Sequence, residues 1–227
     1  MPPTMGTLYL VRHGQASFGA ADYDQLSPLG QRQSRRLGAW FRDRGTHFDV
    51  VLTGTLRRHL QTLAGIEEGL QVRHDTLALP GLNEYDSEAV VRAIHAGPVA
   101  RPETPEQVRQ HFRLLRQGLA QWMAGATQPA GMPAHAEFVA GVVHALDHVR
   151  TRHADATVLI VSSGGPIATA IGHVLGLGAE ATIDLNMHLR NSAVSEFRVG
   201  PKRHTLITFN TLPHLDGLDA AGDITYA

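Results

Sequence analysis

Arg12, His13 and Gly14 form a short motif at the point where an apolar run ends. The alternation and β-branching of residues 7–11 (TLYLV) predict a buried strand, and Gly14 allows the backbone to turn sharply after it. A guanidinium beside an imidazole suits phosphate chemistry, because arginine presents a fork of donors to phosphate and neutral imidazole is a nucleophile. The tripeptide alone is more typical of a solvated loop, so a functional interpretation depends on other residues that reach the same place.

A second polar stretch, residues 53–62 (TGTLRRHLQT), lies where another apolar strand ends and a helix begins. In a parallel α/β sheet, ligands bind at this edge, and the N-terminus of a helix favours anions. Arg58, one turn into the helix, is therefore expected to point toward the same place as Arg12. The alternative is a solvated helix face, since Arg57 and Arg58 are adjacent and point in different directions.

Two further strand ends carry polar groups. Residues 79–86 (LPGLNEYD) follow the third expected strand and contain Glu84, a carboxyl that in a partly closed pocket would have a raised pKa and protonate a leaving group. Residues 162–165 (SSGG) join the most apolar strand to a helix, and their backbone amides are expected to form an anion-binding concavity. Each has an ordinary alternative, a helix cap for Glu84 and a turn for the glycines. Four such signals at four strand ends indicate one site.

The elements that must position these residues alternate along the chain. Strands are expected over 7–11, 48–53, 72–77, 156–162, 194–199 and 204–209, and helices over 28–44, 56–70, 87–95, 104–122, 135–153 and 164–175. This alternation predicts a three-layer α/β/α sandwich with a mostly parallel sheet that allows one antiparallel edge strand. Residues 86–133 interrupt it, and we interpret them as a helical insertion over the site within a single domain, 1–227. The tail 216–227 is expected to be loosely held.

Length and composition define the class of protein. The 227 residues suffice for one domain with a full core, and the 43% hydrophobic and 18% charged residues are typical of globular chains. A formal charge of −1 argues against a general nucleic-acid binder, and the absence of cysteine excludes disulfides and thiolate chemistry. We see no signal peptide and no apolar run of 18 residues, so a cytoplasmic protein without membrane contact is expected.

Taken together, these segments resemble the histidine phosphatase superfamily, in its phosphoglycerate-mutase-like branch. The similar segments are 10–16 (LVRHGQA), 26–34 (LSPLGQRQS), 55–62 (TLRRHLQT), 82–84 (LNE), 158–167 (VLIVSSGGPI) and 191–197 (NSAVSEF). The resemblance implies a phosphoglycerate-mutase-like fold with His13 as nucleophile and Glu84 as acid. It assigns phosphate binding to Arg12, Gly14, Gln15, Arg58, Ser163 and Gly164.

Ser163 departs from the family pattern, which has a histidine before the paired glycines. In the family, that histidine donates to the phosphoryl oxygens as charge shifts in the transition state. Loss of one such donor costs on the order of 10²–10³ in rate, so weakened activity is expected and Ser163→His is predicted to raise the rate. Four histidines lie within or near the similar segments, and the sequence selects none of them as a replacement: His59, His173, His188 and His214.

The expected function is hydrolysis of small-molecule or protein phosphomonoesters through a phosphohistidine on His13, without metal or cofactor. The first alternative is a phosphate-ligand or phosphoprotein binding module that has lost turnover. The second, a phosphoglycerate mutase, is less favoured because residues 15–19 lack the asparagine common in mutases. His144 and His148, spaced i, i+4, are interpreted as a surface pair because no third metal ligand is identifiable. The sequence indicates no nucleic-acid or membrane partner and leaves the oligomeric state open.

Overall fold

The computed structural model describes residues 5–17, 24–95, 97, 104–217 and 222–226. Its strands are β1 (Gly6–Arg12), β2 (Val50–Thr53), β3 (Thr76–Ala78), β4 (Thr157–Ser162), β5 (Val194–Val199) and β6 (His204–Thr211). Its α-helices are α1 (Pro28–Asp43), α2 (Arg57–Leu70), α3 (Ser87–Arg92), α4 (Pro105–Met123), α5 (His135–Arg152), α6 (Gly164–Leu175) and α7 (Ala179–His188). Short 3-10 turns span Pro80–Leu82 and Pro213–Leu215.

The six strands form one mixed sheet in the order β3-β2-β4-β1-β5-β6. The first four strands of the chain are mutually parallel, whereas β5 is antiparallel to both β1 and β6. The antiparallel strand therefore lies one position in from the edge, where the sequence analysis had expected it at the edge itself. The short connection after Val199, in which Gly200 N donates to Arg203 O at 3.0 Å, makes β5 and β6 antiparallel, because so tight a turn joins only antiparallel strands. The pairing of β5 with β1 then leaves β6 as the edge strand.

Helices cover both faces of the sheet, which confirms the three-layer prediction. On one face α1 and α2 bury apolar side chains against β1, β2 and β4, with Phe41 packed edge-on to Tyr9 and Phe48. On the other face α5 and α6 pack against the same strands. The start of α1 follows its sequence signal, since Ser27 Oγ accepts from Gly30 N and Pro28 occupies the first turn.

The sequence prediction was wrong in detail at two elements. The third strand has only three residues, all exposed, and these pair with β2. Residues 72–74, which were expected to begin the strand, close α2 instead, because Val72 N donates to Glu67 O and His74 N donates to Glu67 Oε1. Helix α7 was not anticipated, and its weak amphipathic pattern explains why, since it buries few residues, Thr182 and Ile183.

Residues 86–133 contain α3 and α4, which share a small apolar cluster with α7. Its buried members are Val90, Val91, Leu115, Leu119, Trp122 and Ile183. Trp122 also donates from its indole nitrogen to Pro133 O at 3.2 Å, which ties the end of the segment to α4. Among the helices that the structure describes, none is long and apolar enough to cross a bilayer.

The described part of the C-terminal tail is held more firmly than the sequence suggested. Asn191 N donates to Thr225 O at 2.8 Å, and Gln33 Nε2 donates to Asp223 O at 2.7 Å. Residues 218–221 and 227, which share that expectation, lie outside the described ranges. The tail therefore contacts α1 and the loop before β5 through hydrogen bonds that its composition does not reveal.

Candidate active site

The candidate site lies at the carboxyl edge of the parallel strands. The register pairs Arg12 at the end of β1 with Ser162 at the end of β4, and Thr53 at the end of β2 with Val161. His13 follows directly, and its backbone N–H donates to Ser162 O at 2.9 Å. This topology brings the separate strand-end motifs together at one edge, the place where open α/β sheets bind ligands.

His13 is held in one tautomer inside the protein. Its side chain lies 2.7 Å from Gly14 O through Nδ1, and because a carbonyl only accepts, Nδ1 carries the proton and Nε2 keeps its lone pair. The residue is 4% exposed. Burial, and then the charges of Arg12 and Arg58, hold the pKa of His13 well below its ordinary value. A neutral imidazole with a directed lone pair is the form that attacks phosphorus.

The two arginines approach from different elements. Arg58 is 7% exposed and forms an ion pair with Asp24 at 2.8 Å, and Asp24 also accepts from Arg57 N. Arg12 donates from Nη1 to Leu189 O and, at 2.8 Å, to Tyr226 O. These contacts fix the positions of both guanidiniums, whose charges act on the same buried groups.

Glu84 lies at the N-terminus of α6. Gly165 N donates to its two carboxyl oxygens at 3.0 and 3.2 Å, and Tyr85 N donates to Oε1 at 3.3 Å. Burial raises the pKa of Glu84, although Arg58, the amide of Gly165 and Arg12 act to lower the same pKa. The net direction favours a carboxyl that keeps its proton above the ordinary range, as a general acid requires.

Gly164 marks the point where the acid and the first arginine converge. A methyl group added there would lie 2.6 Å from Asn186 Oδ1, 3.7 Å from Glu84 Oε2 and 3.8 Å from Arg12 Nε. At Gly165 an added methyl group would lie 2.2 Å from Glu84 Oε1. The paired glycines thus let three polar side chains approach the start of α6, a reason that goes beyond turn formation.

Gly14 and Gln15 shape the loop after β1. Gly14 N donates to Thr62 Oγ1 at 3.0 Å, and a methyl group on Gly14 would lie 2.4 Å from Gly30 O. The side-chain oxygen of Gln15 accepts from Ser27 Oγ at 2.8 Å, so this side chain helps to hold the start of α1. The loop is therefore pinned to both α1 and α2.

Ser163 contacts one of the four histidines that the sequence left open. Its Oγ lies 2.6 Å from Nε2 of His59, both side chains are 0% exposed, and the ring of His59 is 5.8 Å from that of His13. His188 bonds to Asp184 O, and His214 bonds to Ser192 Oγ. His173 lies in the last turn of α6, at the far end of that helix from Ser163.

Three site residues escaped the sequence analysis: Asp24, Thr62 and Asn186. Asp24 lies in a stretch of sequence without a periodic pattern, and Thr62 appeared only as part of the second arginine motif. Asn186 Nδ2 donates to Tyr85 OH at 2.7 Å from α7, the helix that was not anticipated. The signal that was present for His59 is its place next to Arg58 in that same motif.

The profile of the histidine phosphatase superfamily (branch 1) matches residues 8–212 of this chain. The chain belongs to this superfamily. A 2,3-bisphosphoglycerate-dependent phosphoglycerate mutase of Methylorubrum populi is 38% identical over 86 residues, which are 35% of this chain and 41% of the mutase. The match thus covers less than half of that relative.

Two solved phosphatase structures share the fold over nearly the whole chain. The phosphoserine phosphatase mutant from Entamoeba histolytica in complex with phosphoserine aligns with a TM-score of 0.64 and 19% identity, covering 93% of this chain and 100% of that one. The alpha-ribazole phosphatase from Shigella flexneri aligns with a TM-score of 0.63 and 19% identity, covering 91% and 96%. At these identities the likeness establishes the phosphoglycerate-mutase-like fold.

Proposed function

We propose that this protein hydrolyses phosphomonoesters through a phosphohistidine formed on Nε2 of His13. The observation that carries the proposal is a buried imidazole whose Nδ1 proton is bound to Gly14 O while the charges of Arg12 and Arg58 disfavour its protonation. Membership of the histidine phosphatase superfamily and the fold shared with phosphatases support it.

In the first step Nε2 of His13 attacks phosphorus as the bond from phosphorus to the ester oxygen breaks. Arg12 and Arg58 bind the phosphoryl oxygens, because a guanidinium presents two parallel donors to phosphate and keeps its charge. Glu84, with its raised pKa, transfers its proton to the departing oxygen so that the product leaves as an alcohol.

In the second step water attacks the phosphohistidine. The Glu84 carboxylate takes a proton from that water, the bond from phosphorus to nitrogen breaks, and its electron pair returns to Nε2 of His13. Inorganic phosphate leaves, and Glu84 is protonated again for the next cycle. No step is assigned to a metal ion or cofactor, because two guanidiniums supply the positive charge that magnesium supplies in other phosphoryl-transfer enzymes.

The remaining assignments complete the phosphate site. We assign phosphate contacts to the loop at Gly14 and Gln15 and to Ser163 and Gly164 at the start of α6, where a helix N-terminus favours anions. The substrate class is a phosphomonoester of a small molecule or a protein. Residues 86–133 are assigned to the leaving-group side of the site, within one domain, because Leu119, Trp122 and Met123 of this segment line a groove that reaches Gly165.

A turnover assay tests the proposal against its rivals. The wild type is expected to release phosphate from p-nitrophenyl phosphate at mildly acid pH, and His13→Ala is expected to abolish that release. Binding of orthovanadate without turnover would instead favour a phosphate-binding module. Transfer of phosphate between the hydroxyls of phosphoglycerate, with little release to water, would favour a mutase.

A further inference from the structure

His59 and Ser163 form a buried polar pair whose mutual hydrogen bond has no role in the mechanism proposed above. Their side chains come from α2 and from the residue before α6, and Nε2 and Oγ lie 2.6 Å apart. Both residues are fully buried, and the ring of His59 is 5.8 Å from the ring of the nucleophile His13. The pair therefore lies beside the position that the phosphoryl group must occupy.

The Ser163 hydroxyl is not used to cap its helix. Ser163 is the N-cap residue of α6, a position where serine normally accepts from a backbone amide of the first turn. Here its side chain makes no such bond, and Gly165 N donates to Glu84 instead. The hydroxyl is thus committed to His59, which leaves its orientation under the control of that imidazole.

The surroundings of His59 indicate which ring nitrogen carries the proton. Nδ1 has no hydrogen-bond partner among the described residues, and Gly54 packs so closely that a methyl group there would lie 2.2 Å from Nδ1. A buried N–H without an acceptor is rare in proteins, so the proton belongs on Nε2. Burial and the charge of Arg58 lower the pKa of His59 to about 3, so the ring is neutral at the pH of catalysis.

We infer that His59 is a positioning residue for phosphoryl transfer: its Nε2–H donates to Ser163 Oγ and thereby turns the hydroxyl proton of Ser163 toward the phosphoryl oxygens. Ser163, in contact with substrate, then donates a hydrogen bond to the phosphoryl group from the position where the family pattern has a histidine. Accepting a hydrogen bond from the imidazole strengthens the one that the hydroxyl donates. The inference rests on the proposed function for the place of the phosphoryl group.

The test measures the affinity for orthovanadate, which occupies the phosphoryl position, together with kcat and KM on p-nitrophenyl phosphate and the melting temperature. His59→Ala and Ser163→Ala are each expected to weaken vanadate binding and to lower kcat about 10- to 100-fold with little change in KM. Ser163→Ala removes the hydroxyl that donates to the charged group, and His59→Ala removes the hydrogen bond that orients this hydroxyl. The double variant is expected to lose no more than either single variant, because the two side chains act as a unit.

His59→Gln is the matched control, because its amide nitrogen can replace Nε2–H as a donor to Ser163. It is expected to recover vanadate affinity and kcat to within about fivefold of wild type, since it keeps the hydrogen bond that His59→Ala removes. A purely structural role would be shown by equal losses in His59→Ala and His59→Gln that follow the melting temperature. That result would overturn the inference. So would losses that multiply in the double variant, and so would an unchanged vanadate affinity in His59→Ala.

Moving the imidazole from position 59 to position 163 gives a second test. The sequence predicts that Ser163→His raises the rate, yet the 2.6 Å contact leaves no room for two rings. Ser163→His alone is therefore expected to lower vanadate affinity, and the double variant H59A/S163H to restore it. If S163H binds vanadate more tightly while His59 is still present, the proposed pairing of His59 with Ser163 is wrong. If vanadate binding depends on the pair while the wild type turns nothing over, the proposed function fails and the pairing stands.

Discussion

Two groups of histidines in this protein have similar ring separations and very different surroundings. At the carboxyl edge of the sheet, the rings of His13 and His59 lie 5.8 Å apart inside the protein. At the end of α5, the rings of His148 and His153 lie 5.3 Å apart and are partly exposed to solvent. His144, one turn before His148, is exposed.

The difference shows that ring contact alone does not make a site. Burial lowers the pKa of His148, with help from His153 and Arg152, much as burial lowers the pKa of His13. The pair at the sheet edge has in addition two nearby arginines and a fixed hydrogen-bond partner for one nitrogen of each ring. Within the described ranges, no group of three His, Asp or Glu side chains is arranged to hold a metal ion.

The largest predicted effect distinguishes the two groups directly. His13→Ala is expected to lower kcat on p-nitrophenyl phosphate on the order of 10⁴-fold or more, since it removes the proposed nucleophile. His148→Ala is the matched control and is expected to change kcat less than about twofold, as surface substitutions do. Steady-state kinetics on both variants check this, and comparable losses would remove the distinction between the groups.

The adjacent arginines of α2 allow a buried and an exposed cation to be compared on one helix. Arg58→Ala is expected to lower kcat/KM by about 10²–10³, because it deletes a charged donor to the phosphoryl group in a buried site. Arg57 is exposed, and Arg57→Ala is expected to stay within about threefold of wild type. The same phosphate-release assay measures both. An equal loss in the two variants would indicate general electrostatic attraction of substrate.

The rate loss caused by replacing Glu84 is expected to depend on the leaving group. Glu84→Gln keeps the shape of the side chain and removes the transferable proton, so hydrolysis of an alkyl phosphate is expected to slow by about 10²-fold. With p-nitrophenol, which leaves without protonation, the first step is expected to change far less. Pre-steady-state bursts with both esters report this step. A loss independent of leaving group would contradict the acid role of Glu84.

The pH profile should show the opposite pKa shifts at the edge of the sheet. Because the pKa of His13 is lowered, kcat/KM is expected to persist below pH 6.5, the ordinary value, and to fall only where the imidazole protonates. Because the pKa of Glu84 is raised, its proton is expected to remain above pH 4.5, and activity to decline as it is lost. An acid limb at or above pH 6.5 would show that His13 is not held neutral.

Much of the fold could be predicted because local signals agreed with one another. Ser27-Pro28 marked the start of α1, and the apolar residues 156–162 marked β4. The position of β5 could not be obtained in this way, since a hairpin fixes its direction but pairing with β1 fixes its place in the sheet. Helix α7 was missed because its ten residues bury too few side chains to produce a period.

The candidate site was predictable at its strand ends and less so beyond them. Arg12 ends β1, whereas Arg58 and Glu84 follow β2 and β3, so the topology brings all three to one edge of the sheet. The contact between His59 and Ser163 joins residues 104 positions apart, and it depends on the distance between α2 and α6, which no local pattern encodes. Of the four histidines that the sequence could not rank, His59 is therefore the one that tertiary packing places against Ser163.

Trapping the phosphorylated protein shows whether His13 is the nucleophile. The wild type and Glu84→Gln are mixed with p-nitrophenyl phosphate and denatured within milliseconds at alkaline pH. The protein is then digested and analysed by mass spectrometry. We expect one phosphoryl group on the peptide that contains His13, formed at least as fast as turnover and accumulating further in Glu84→Gln, whose second step lacks its base. Continued turnover with no phosphate on His13, or with phosphate on another residue, would contradict the account.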